Sequence, residues 1–148
     1  MAKVARAARV ASRQRVETID ASSGDATKTI GAAETGELYF IDATNDVVIT
    51  LPAVQDGAYF KFMISVAVGG GKSVIVNASE ANLRMDGYLV QESASGNIDA
   101  LSQSSANKDK VTFGAGCAAG SYLECYSDGT KWLCSGRATA GTLTFGDQ

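Results

Sequence analysis

The chain has 148 residues, 13 of them Lys or Arg, 16 Asp or Glu, and no histidine. That length suits a single domain able to bury a core of its own. Without histidine, the commonest general acid–base, the commonest metal ligand and the usual serine or cysteine triads are excluded, so a non-enzymatic chain is expected, with no cofactor and no metal.

Charge is divided unevenly along the chain. Lys3, Arg6, Arg9, Arg13 and Arg15 place five positive charges in the first fifteen residues, before any acid, and leave 8 basic against 16 acidic residues in the remainder. Residues 1–16 therefore read as a basic N-terminal arm and residues 17–148 as an acidic body. Spacings of three and four would align the cations on one stripe of a helix, but the arm lacks a clear cap and has only small apolar side chains, so an extended conformation serves equally. Arg-rich starts also occur in mitochondrial presequences. Adhesion to an acidic protein surface is the expected role, with nucleic acid a weaker partner and no membrane partner. No run approaches the roughly 18 apolar residues needed to cross a bilayer.

The body is written in short β-forming runs separated by Gly, Asn, Asp and Ser, which predicts an all-β, two-sheet sandwich, jelly-roll-like, of eight or nine strands. Residues 17–36 hold one or two short edge strands. Strands follow at 37–42 and 47–51, the second ended by Pro52. Residues 58–68 form a central strand whose Phe60, Phe62, Ile64 and Val66 share one apolar face. The Gly-rich residues 69–73 lack the glycine spacing of a phosphate-binding loop and precede β-branched residues, so they are expected to be a hairpin loop.

Residues 83–90 form a strand with a bulge or turn at Asp86-Gly87, and 91–109 a long polar loop, solvated or touching a neighbouring subunit. Further strands are expected at 110–113 and 142–145. Between them, Asp128-Gly129 marks the turn of a β-hairpin over residues 122–136. A two-residue turn there sets Cys125 opposite Trp132 and Leu123 opposite Cys134, all facing the core. Tyr122, Glu124, Tyr126, Lys131, Leu133 and Ser135 fall on the other face, partly covered by a neighbour. Cys117, Cys125 and Cys134 are expected to be free core thiols, as in a protein made in a reducing cytosol.

The order of four pieces resembles a family of small β-domains of tailed-phage virion proteins. They are Glu34 to Asp42 with its aromatic pair, Ile49-Thr50-Leu51-Pro52, Gly57 with Phe60 and Phe62, and Ser127-Asp128-Gly129-Thr130 leading to Trp132. Such domains occur in capsid decoration (cement) proteins and in head-fibre and tail-fibre proteins. The resemblance implies a structural virion protein on the outer capsid surface, made in the host cytoplasm, with the major capsid protein as partner, a homotrimeric assembly and no small-molecule substrate. Capsid contact by Lys3, Arg6, Arg9, Arg13 and Arg15 rests on charge alone. The alternative is a receptor- or glycan-binding module of a head or tail fibre, for which Tyr39, Tyr59, Tyr88, Tyr122 and Tyr126 could stack on sugars.

Overall fold

The computed structural model describes residues 14–81, 83–103 and 108–148. The first three pairs of strands are β1 (Val16–Asp20) and β2 (Ala26–Thr29), β3 (Leu38–Asp42) and β4 (Val47–Thr50), and β5 (Tyr59–Val66) and β6 (Val74–Asn77). After them come β7 (Met85–Glu92), β8 (Ile98–Gln103), β9 (Lys110–Phe113), β10 (Tyr122–Ser127), β11 (Trp132–Thr139) and β12 (Leu143–Gly146). A single 3₁₀ turn, Ala32–Glu34, lies between β2 and β3.

These strands form the expected all-β, two-sheet sandwich, with twelve strands among the described residues in place of eight or nine. One sheet has seven strands in the order β1-β3-β5-β10-β11-β7-β8, the other five in the order β12-β9-β6-β4-β2. A jelly roll is built from antiparallel Greek keys. Here β1, β3 and β5 pair parallel, β2, β4 and β6 pair parallel, and β7 pairs parallel with β11.

The first six strands thus make three stacked rungs, each contributing one strand to either sheet. Ile19, Ile41 and Ile64 fall in one register column and are all buried. Ala26, Val47 and Val74 form the matching column opposite. Sequence repeats with the rungs: Ile19-Asp20-Ala21-Ser22 returns 22 residues later as Ile41-Asp42-Ala43-Thr44. In both copies the aspartate carboxylate accepts a backbone N–H two residues on, at 2.8 Å from Ser22 and 3.1 Å from Thr44, which turns the chain toward the second sheet. Both alanines are fully buried at the bend.

Several local expectations change in this arrangement. Residues 69–73 are a crossing between sheets, since β5 and β6 belong to different sheets, and not a hairpin loop. Val66 turns outward at 43% exposure because the β3–β5 register slips at its end. No turn or bulge interrupts β7 at Asp86-Gly87, where the ladder to β11 runs on without a shift. Within the polar stretch 91–109, β8 folds back on β7 through a turn closed by Ser93 N–H to the Asn97 carbonyl. Polar side chains had masked that strand, which is the last in its sheet.

The β10–β11 hairpin forms with four residues in its loop, so Ser127 faces Trp132, Cys125 faces Cys134 and Leu123 faces Gly136. The Asp128 carboxylate explains the longer loop, accepting from Thr130 N–H and Lys131 N–H, each at 2.9 Å, and from the Thr130 hydroxyl at 2.7 Å. Adding two residues preserves parity, so Leu123, Cys125, Trp132 and Cys134 still point inward, and all are buried. The three cysteines are free and buried, with the Cys125 and Cys134 sulfurs 3.6 Å apart. Burial pushes the Cys117 thiol up to about 11 and also raises that of Cys125, so neither carries a reactive thiolate at neutral pH.

Candidate interaction surface

Of the arm cations named above, Lys3, Arg6, Arg9 and Arg13 lie outside the described residues. Arg15 stands at the root of β1, where its carbonyl already accepts from Leu38 N–H and its guanidinium pairs with buried Glu37 at 3.1 Å. The chain therefore enters the body at an edge of the seven-stranded sheet.

Beside that root, the first rung ends the core with charge instead of methyl groups. Glu17 and Lys28 occupy inward positions in register with Tyr39 and Ile49. The Lys28 ammonium lies 2.9 Å from Glu17 and 2.7 Å from Glu34. The buried Tyr39 hydroxyl donates to Glu37 at 3.2 Å. Glu17, Glu34 and Glu37 come close enough to hold a cation. Lys28 supplies that charge from within the chain, and Arg15 neutralises the third carboxylate. The Lys28 hydrogen bond holds the Glu34 carboxyl below its ordinary range, Glu34 in turn raises Lys28, and burial followed by the nearby carboxylates raises Tyr39. Inward-pointing charge of this kind discourages unwanted strand addition at a sheet edge.

The outer face of the seven-stranded sheet is the broadest unusual surface. One register row runs Val16, Leu38, Lys61, Glu124, Ser135, Tyr88 across six strands. The row beside it runs Phe40, Met63, Tyr122, Arg137, Val90, and a third runs Tyr59, Tyr126, Leu133, Asp86. Tyr59 and Tyr126 stack with ring centroids 4.6 Å apart. Lys61 pairs with Glu124 at 2.8 Å and stands 5.1 Å above the Tyr122 ring. Both contacts favour the protonated ammonium, and Lys61 is raised with Glu124 as the largest cause. Tyr88, Tyr126 and Leu133 are 60%, 46% and 41% exposed.

The opposite outer face differs in kind. Its rows are Thr27, Val48, Ile75, Thr112, Thr144 and Thr29, Thr50, Asn77, Lys110, chiefly short polar side chains. Four of the five tyrosines singled out by sequence lie on the seven-stranded face, while Tyr39 is buried in the core. The alternation in residues 122–136 revealed part of this face. Leu38, Phe40 and Met63 joined it only through strand pairings between distant segments.

No pocket opens among the described residues. Comparison with protein-family models, with curated proteins and with solved structures gives no match.

Proposed function

We propose that this chain is a structural protein of a tailed-phage virion, a decoration or cement protein that binds the outer surface of an assembled capsid and bridges neighbouring capsid subunits. The division of charge carries the reading. Five cations precede the first acid, whereas eight cations of the described residues, Arg15 among them, stand in ion pairs within the body. An arm of this composition suits an acidic shell, while the β-sandwich remains outside as a compact clamp. A ligand that binds only assembled shell stabilises it by mass action. Homotrimeric attachment, implied by the resemblance, would multiply weak arm contacts through effective concentration.

The second reading is a receptor- or glycan-binding module of a head or tail fibre. Tyr88 and Tyr126 favour it, as exposed rings on a broad sheet face that suit stacking on sugars.

The copy number of this chain in purified particles separates the two. A decoration protein is expected near one copy per capsid protein, or at a simple fraction set by shell symmetry. A handful per particle would favour the fibre module, and absence would overturn both. Deleting residues 1–13 should abolish attachment to undecorated shells and leave the body folded. Attachment undiminished by that deletion would remove the arm's role. The cut stops short of Arg15 because its pairing with Glu37 belongs to the body.

A further inference from the structure

We infer that the outer face of the seven-stranded sheet is the surface through which copies of this chain pack against one another. This assigns a surface to the self-assembly that the virion reading includes, and it rests on the chemistry of the face alone. A sheet face left to water normally alternates to polar side chains, as the threonine-rich outer face of the five-stranded sheet does. The seven-stranded face instead sets aromatic and aliphatic side chains around the central Lys61–Glu124 pair, with Tyr88, Tyr126 and Leu133 the most exposed of its central apolar residues. An apolar patch of this extent on a soluble domain marks a contact surface.

Charge selects the occupant. Carboxylates on the central strands already have cations beside them: Glu124 has Lys61, Asp86 has Arg84 at 2.6 Å and Lys131 at 2.8 Å, and Glu92 has Arg137. Asp20 and Asp42 stand at the rim, bonded to their own turns. The body as a whole has 8 basic against 16 acidic residues, so two copies repel through most of their surfaces. They do not repel through this one, where the charges are internally balanced. An acidic shell or a nucleic acid would be met instead by unpaired cations, which the centre of this face does not offer.

Size agrees. Six inter-strand spacings of about 4.8 Å and strands about 20 Å long give roughly 600 Å² in projection, before side-chain relief is counted. That approaches the roughly 800 Å² per partner of a stable interface. Tyr, Phe, Met and Arg, all present on this face, are also the residues enriched at interface centres.

The test uses the purified full chain, free of particles, by light scattering after size exclusion and by native mass spectrometry. The wild type is expected at a multiple of the 15.3 kDa chain mass. Leu133→Glu and Tyr88→Glu should each raise the dissociation constant at least tenfold. Thr144→Glu, on the opposite face, should leave it unchanged. Circular dichroism and urea melts establish that the variants are folded, and both substituted side chains point outward from the core. A wild type that stays monomeric overturns the inference. So does an assembly that survives both substitutions, or a face protected from hydrogen exchange only when shells are added, which would give the surface to the shell protein. Because no particle is present in the mass measurement, failure here is distinguishable from failure of the virion reading.

Discussion

At Gly87 a single methyl group decides whether β7 can lie against β11. Its φ is +141°, and a β-carbon there would overlap the carbonyl oxygen of Cys134. Backbone cannot yield as a side-chain tip can, so Gly87→Ala is expected to cost on the order of 3 kcal/mol in urea denaturation. Lys28 decides a second question, whether three carboxylates can share the end of the core. Lys28→Met should lose about 2 kcal/mol at pH 7, because one partner of a partly buried charged cluster is removed and the others remain. Its pH dependence is the sharper reading. In the wild type, the lowered Glu34 contributes stability above its ordinary value of 4.5 that is lost as pH falls through the carboxylate range. The raised Lys28 contributes stability that is complete below 10.5 and lost as pH rises through its folded value. With the ammonium gone, mutual repulsion makes the folded state take up protons more readily, so the variant should gain stability from pH 7 toward pH 5 while the wild type does not. Urea midpoints across that range would check the opposite slopes.

At the scale of elements, the stacked rungs predict unequal penalties for equal truncations. Ile41 lies between Ile19 and Ile64 and is fully buried, whereas Ile19 belongs to the end rung, with a neighbour on one side. Ile41→Ala should cost about 4 kcal/mol and Ile19→Ala about 2, since the loss follows the cavity left behind. Equal losses in urea melts would show that the rungs do not stack as one column. The repeated Ile-Asp-Ala-Ser/Thr was the available signal for this architecture, two short matches whose meaning appears once β1 pairs parallel with β3. Hairpin residues 122–136 teach the complementary lesson. Period-two alternation assigned its faces correctly, while its register depended on how many N–H groups the Asp128 carboxylate would gather.

For the whole molecule, charge separation ties the arm, the body and the two proposed contacts together. Arm binding to an acidic shell should weaken steeply with added salt, because exposed charges are screened over about 10 Å at 0.1 M. Association through the apolar sheet face should hold steady or strengthen under the same salt, since burial of apolar surface drives it and salt screens the repulsion between acidic bodies. The two dependences distinguish the contacts even where both operate in one particle.

The amino-acid sequence alone determined the all-β class, the edge character of the first two strands, the central strand with Phe60 and Phe62, and the core face of the hairpin. These follow from alternation, β-branching and turn residues, properties that act within a few neighbours along the chain. Tertiary structure decided the parallel rungs, the crossing of residues 69–73 from one sheet to the other, the charged end of the core at Lys28, and the apolar outer face. Each joins residues far apart in the chain, and the backbone hydrogen bonds that join them are common to every residue type, so side-chain order does not disclose which strands will pair.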